Sequence, residues 1–265
     1  MPSDPFTLAL LGGLGLAIGF VGGLVGLVLG VVRFPLILST AETSVAITAG
    51  TNIGISTFGS MAGAVRHLQQ NNIHLRVFGI MAASGAAGAF LGSMLTKFFP
   101  VQLLLIVIGL IVSYEAFSLI TSARKDSKRN PSEVESFVKP NLALESAIGF
   151  GVGFLGGIVG LVLGSIRMPA MIAVLKMEPR VAVGTNLAAS SVMGAAGLTG
   201  HLLNNEVDFL VLVVMGLMAA LGAYIGASYT NRFSASSLKL IIGFVLIFVA
   251  IVMFLRAITL PIVIP

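Results

Sequence analysis

Two arginines, Arg33 and Arg167, stand near the ends of apolar, glycine-rich runs. Arginine inside a membrane-type segment is costly, and it is a functional position by default. Its guanidinium fork fits flat or tetrahedral oxygen groups, so the pair predicts cationic binding of an oxyanion; the alternative is two side chains that snorkel to lipid headgroups. Gly-Thr-Asn follows each arginine, at 50–52 and 184–186. Thr51, Asn52, Thr185 and Asn186 read as the capped start of a helix, where free N–H groups and the helix dipole attract anions. Ser56, Ser190 and Ser191 follow about one turn on; ordinary capping and interhelical hydrogen bonding is the competing account. Gly22-Gly23 and Gly156-Gly157 are expected to unwind the backbone near the membrane midplane, which is tolerated only where it is buried in protein or lines a cavity. His67, His201 and Glu115 are the titratable candidates for proton coupling. The histidines fall at segment ends, where a surface position is expected, and Glu115 lies inside an apolar span with Val249 at the matching position of the second half.

Other chemistries are excluded or unsupported. The chain has no cysteine, so thiolate metal sites, disulfides and thiol catalysis are absent. No metal site and no cofactor is expected. Gly151, Gly153 and Gly156 spell GxGxxG, but inside an apolar span and with Ala17 at the matching position of the first half, which argues against a dinucleotide site. No GxxxxGK[ST] sequence is present, so a built-in ATPase motor is not expected. The net charge of +5 reads as loop lysines and arginines facing one side of a membrane, not as a nucleic-acid surface.

The arginine-bearing stretch is written twice. Residues 22–35, GGLVGLVLGVVRFP, match 156–169, GGIVGLVLGSIRMP, at every position except Leu24/Ile158, Val31/Ser165, Val32/Ile166 and Phe34/Met168. A shift of 134 residues aligns both halves without a gap, carrying Arg33 onto Arg167, His67 onto His201 and Gly109 onto Gly243. The chain is 57% hydrophobic and 9% charged, whereas a soluble domain carries about 25% charge. The expected fold class is an all-α polytopic membrane protein of two homologous halves, residues 1–121 and 141–265, joined by a polar cytoplasmic linker, 122–140. Apolar segments are expected at 6–38, 44–65, 75–96 and 101–121, then at 141–173, 180–200, 207–230 and 237–257.

The first segment of each half is too long for one span: about 33 residues make roughly 50 Å of helix, against about 30 Å of hydrocarbon. Both are rich in GxxxG spacing, a pattern for close helix packing, and both are expected to break at Pro35 and Pro169, since proline removes a backbone donor. Four simple spans per half would divide the basic residues eight to seven across the membrane. If the first segment instead enters and returns, the split becomes twelve to three, or eleven to two with both arginines inside the membrane, and the positive-inside rule is obeyed. That arrangement makes the repeats inverted, with broken helices meeting at the midplane, a recurring plan of secondary transporters.

The glycine-rich run ending in proline, Ala182-Val183-Gly184-Thr185-Asn186, Ala49-Gly50-Thr51-Asn52, the later histidine and the duplication together resemble the TauE/SafE sulfite-exporter family, over nearly the whole chain. Asparagine stands where that family usually has serine, and Val25 and Val159 interrupt the glycine clusters. The resemblance implies export of sulfite, sulfoacetate or another organosulfonate. A distant thiosulfate-uptake branch depends on cysteines, which this chain lacks.

The expected function is secondary transport, by alternating access, of a small sulfur-containing anion out of the cell across the plasma or inner membrane. An anion channel, or a carrier for a different small anion, is the alternative. An enzyme is not expected, because no nucleophile–base pair or ligand cluster is visible. The expected partners are the anion, the lipid bilayer and a second copy in a homodimer.

Overall fold

The computed structural model describes residues 4–41, 44–95, 101–126 and 141–259. Among them are ten α-helices and no strand: α1 (Pro5–Val25), α2 (Gly30–Ala41), α3 (Val45–Gln69), α4 (Leu75–Met94), α5 (Val101–Asp126), α6 (Leu142–Val159), α7 (Gly164–Ala173), α8 (Pro179–Leu203), α9 (Phe209–Tyr229) and α10 (Ala235–Thr259). Six of these, α1, α4, α6, α8, α9 and α10, are long and apolar enough to cross a membrane. α3 matches α8 in length, 25 residues each, but Thr48, Thr51, Asn52, Ser56 and Ser60, all buried, lower its hydropathy. The chain is a polytopic helical membrane protein. The linker expected at 122–140 is shorter at its start, because α5 continues through Asp126; residues 127–140 lie outside the described residues.

Polar side chains set several helix starts. Asp4 accepts from Thr7 N–H with Pro5 at the first helical position, Ser44 accepts from Ile47 N–H, Asn141 from Leu144 N–H, and Asp208 from Leu210 and Val211 N–H. Each satisfies amide donors that a helix start leaves without a partner. The α3–α4 and α8–α9 hairpins turn on Asn71 and Asn205, at φ 58° and 57°, a left-handed conformation that asparagine tolerates better than most residues.

The long first segment of each half is broken, but not at the expected proline. Helix α1 stops at Gly26, φ 74°, and α6 at Gly160, φ 72°. The following amides, Leu27 and Leu161, turn back to the carbonyls of Gly22 and Gly156, which is a Schellman closure. Pro35 and Pro169 instead lie inside the short helices α2 and α7. Gly22-Gly23 and Gly156-Gly157 are helical, so the expected unwinding there is corrected: the unwound residues are Gly26–Leu29 and Gly160–Leu163. The paired glycines are needed for packing. A Cβ on Gly23 would strike Ala223, and one on Gly157 would strike Ala89.

Side-chain register gives the helix directions. Gly15, Gly19 and Gly23 of α1 face Met215, Ala219 and Ala223 of α9, and Gly54 and Gly63 of α3 face Leu212 and Ala223. Numbers rise together, so α1, α3 and α9 are parallel. Likewise Gly149, Gly153 and Gly157 of α6 face Met81, Gly85 and Ala89 of α4, while Gly85 and Ser93 of α4 face Met193 and Gly200 of α8. α3 and α8 cross antiparallel, Ile53 on Gly197 and Thr57 on Gly194. Thus α6 runs opposite to α1. Because α2 links two parallel helices, residues 27–41 must return across the length that α1 has covered. α5 and α10 pair antiparallel at the side, Gly109 on Phe254 and Ile120 on Gly243.

The left-handed turns are testable. Alanine at Gly26 or Gly160 meets a φ that costs an L-residue about 1–2 kcal/mol, and at Gly26 its Cβ lies 2.7 Å from Val183 Cα. Gly26→Ala and Gly160→Ala are expected to lower the thermal midpoint of the detergent-purified protein, whereas Gly151→Ala, with no neighbour within 4 Å, leaves it in place. Equal midpoints in all three variants would rule out these closures.

Candidate functional site

Arg33 projects from α2 and Arg167 from α7, at 1% and 0% exposure. Snorkelling to headgroups is therefore not what these side chains do. Arg33 Nε donates to Asn52 Oδ1 (3.4 Å) and its Nη2 to Ser56 Oγ (2.7 Å). Arg167 repeats the pattern: Nε to Asn186 Oδ1 (2.8 Å) and Nη2 to Ser190 Oγ (2.6 Å), with a further bond from Nη2 to the Asn186 carbonyl (3.0 Å). Neither guanidinium has a carboxylate partner among the described residues. Their acceptors are neutral, so each site keeps its positive charge.

The asparagines also tie the halves together. Asn52 Nδ2 donates to the carbonyl of Gly160 (3.3 Å), and Asn186 Nδ2 to that of Gly26 (2.6 Å). Each asparagine thus holds its own half's arginine with its oxygen and the other half's broken-helix turn with its nitrogen. Serine has a single shorter polar group and cannot span both partners.

The expected helix start at Gly-Thr-Asn is overturned. α3 begins at Val45 and α8 at Pro179, so Thr51, Asn52, Thr185 and Asn186 lie in helix interiors whose N–H groups are already bonded. Glycine precedes them for another reason. A Cβ on Gly50 would collide with the Glu206 carbonyl, and one on Gly184 with that of Asn72. The threonines brace the same crossing: Thr51 Oγ1 accepts from Asp208 N–H (2.8 Å) and Thr185 Oγ1 from His74 N–H (2.9 Å). Ser56 and Ser190 are brought to the arginines, whereas Ser191 bonds the Ala188 carbonyl instead.

The histidine expectation is also corrected. His67 and His201 are fully buried, not surface residues. His67 Nε2 lies 3.2 Å from the Gly23 carbonyl, and His201 Nδ1 lies 2.7 Å from Glu206 Oε2. Both sit where the hairpin turns close against the helices, not at the guanidinium groups. Glu115 is half-buried on α5, outside the site. Among the described residues no group of three or more histidines and carboxylates is placed to hold a metal.

The two arginines do not share one pocket. With Thr57 opposite Gly194, Ser56 and Ser190 stand about five residues apart along the crossed pair, roughly 8 Å at 1.5 Å per residue. A narrow cleft with about 20 Å³ of free space lies between the two turns, lined by Leu27–Val31, Leu161–Leu163, Ser165, Val249 and Met253. Two small side chambers, with about 10 Å³ of free space each, adjoin it through Leu27-Val28 and Leu161–Leu163.

A family model described as sulfite exporter TauE/SafE matches residues 11–253. The chain belongs to the TauE/SafE family. It is similar to the probable membrane transporter proteins YunE and YdhB of Bacillus subtilis, at 24% and 26% identity over 89% and 85% of this chain and 93% and 90% of theirs. A probable membrane transporter protein of Xylella fastidiosa is 26% identical, covering 89% of this chain and 93% of that one. No solved structure matches. As a TauE/SafE member the chain is a membrane transporter, not an enzyme.

Sequence reasoning missed four participants. The Gly26 and Gly160 carbonyls gave no signal, because any residue carries one. Met193 looked like core, yet its sulfur accepts from Arg167 Nη1 (2.6 Å). Arg256 stacks its guanidinium 3.2 Å from the centre of the Phe34 ring, a contact between α10 and α2 that no repeat pattern reveals.

Removing an asparagine strands a buried guanidinium N–H, at about 1–3 kcal/mol per unsatisfied group. Asn52→Ala and Asn186→Ala are both expected to destabilise the purified protein. Asn186→Ala is expected to cost more, because its bonds of 2.8 and 2.6 Å are shorter than the 3.4 and 3.3 Å of Asn52. Thermal unfolding in detergent checks the order, and a reversed order would contradict it.

Proposed function

We propose that the chain is a secondary transporter that carries a small sulfur-containing anion, sulfite or an organosulfonate, out of the cell by alternating access. One observation carries the reading: two buried guanidinium groups are held by neutral asparagine and serine. Burying a charge is expensive unless it is paired. A site that keeps net positive charge in a membrane interior suits an anion that comes and goes.

The charge distribution supports the orientation. The ends of α3, α5 and α9, the starts of α4, α8 and α10, and the α7–α8 turn share one side and carry Arg66, Arg76, Arg124, Arg180, Arg232, Lys239 and Lys176; the opposite side has Arg256 among the described residues. By the positive-inside rule the first side reads as cytoplasmic, which supports a cytoplasmic linker and inverted repeats in a plasma or inner membrane. The membrane potential, inside negative, favours anion exit by about 2.3 kcal/mol per charge per 100 mV, so export needs no coupled ion. Sulfur oxyanions are the substrate class because the family's description names sulfite export.

The test is sulfite flux in proteoliposomes. Wild type is expected to carry sulfite saturably, and Arg33→Ala, Arg167→Ala and the double variant to carry less. Flux that is linear in sulfite points to a channel. A double variant that equals wild type moves the anion site elsewhere.

A further inference from the structure

The two half-sites are related by the 134-residue shift but are not chemically equal. The chamber beside α1 is lined by Gly22, Gly23, Arg33, Gly59, Ser60 and Leu187. Its counterpart beside α6 is lined by Gly156, Gly157, Ile53, Met193 and Gly197, and Arg167 does not border it. Met193 occupies the position equivalent to Gly59, and Gly194 that of Ser60. Met193 Sδ takes the Arg167 Nη1 donor, while Arg33 Nη1 has no hydrogen-bond partner among the described residues. The fit around each residue is reciprocal. Met193 fills the space that Gly85 leaves, since a Cβ there would lie 2.6 Å from its sulfur, whereas Gly59 has Ala219 opposite it at 3.7 Å. The loop leading to Arg33 is also the unusual one. Leu29 has φ 48°, and its counterpart Leu163 has φ −78°. A left-handed leucine is rare, and such strain gathers at functional sites.

We propose that the Arg33 chamber is the anion subsite and that Met193 screens Arg167 from the pseudo-symmetric counterpart. This rests on the anion-carrier reading above and deepens it. The ligand is a small oxyanion that takes the Arg33 Nη1 donor; Ser60, whose hydroxyl donates to the Thr57 carbonyl (3.1 Å), lines the chamber beside it. Arg167, with its four donated bonds met by Asn186, Ser190 and Met193, is a positioning residue that secures the second turn.

The test uses the full chain in detergent with methylglyoxal, a small reagent that adds to guanidinium groups, read by peptide mass spectrometry. Arg33 is expected to be modified at least about tenfold faster than Arg167, equivalent to about 1.4 kcal/mol, and methanesulfonate, which unlike sulfite does not add to the reagent's carbonyl groups, is expected to slow modification of Arg33 alone. Gly59→Met, or Gly59→Leu should the first not fold, is expected to protect Arg33 and to abolish saturable sulfite flux in proteoliposomes. Met193→Gly, or the milder Met193→Ala, is expected to expose Arg167. Equal modification of both arginines in wild type, or unchanged sulfite flux in folded Gly59→Met, overturns the proposal. If modification follows the expected pattern but methanesulfonate does not slow it, the asymmetry of access is confirmed and the anion reading beneath it fails.

Discussion

Two buried guanidinium groups with no carboxylate partner among the described residues impose the main constraint on this structure. Each must be surrounded by acceptors that bring no negative charge, or the site would be neutralised. Asparagine and serine, four residues apart on one helical turn, meet this need. Asn52 and Ser56, like Asn186 and Ser190, project from the same face of their helix toward one arginine. The amide has a second polar atom left over, and it binds the Gly26 or Gly160 carbonyl. That carbonyl belongs to a left-handed turn which leaves it outside regular helix hydrogen bonding. The charge, the amide and the broken helix are therefore one device, and removing any of them leaves a buried polar group without a partner.

The glycines follow from the same need for proximity. Lipid gives little hydrophobic drive for helix association, so close backbone packing must supply it. Gly15, Gly19 and Gly23 lay α1 against the carbonyls of α9, and Gly149, Gly153 and Gly157 do the same for α6 on α4. These contacts hold the ends of α1 and α6 close enough to the α3–α8 crossing for Gly26 to meet Val183 and Gly160 to meet Ala49.

Much of this was legible in the chain. The ungapped repeat paired every residue of the two half-sites, hydropathy marked the helices, and the cost of a buried charge singled out the arginines. The places where reading failed share a cause. Gly-Thr-Asn looked like a helix start because glycine, threonine and asparagine are common there; only tertiary contact shows that Gly50 makes room for the Glu206 carbonyl and that Thr51 braces the Asp208 amide. The prolines seemed to be the helix breakers, yet the left-handed glycines act first. The histidines were assigned to the surface from their distance along the segment, but the hairpin turns fold back over them. Met193 carried no signal at all, because its role is defined by the space at Gly85.

The packing also limits how the site can open. The first helix of each half lies on the penultimate long helix of the other, α1 on α9 and α6 on α4, with glycine against carbonyl along the interface. Such contacts tolerate almost no sliding, because any shift brings a neighbouring side chain into the space that glycine leaves. The two sequence halves are therefore not two mechanical bodies, and a motion that rocked one against the other would have to separate the tightest interfaces in the molecule. Alternating access as proposed above would have to keep α1 with α9 and α4 with α6. Between those two groups lies the α3–α8 crossing. It carries the asparagines, the serines, and both Gly59 and Met193, so a change in the angle of that crossing would alter access to the two arginines together.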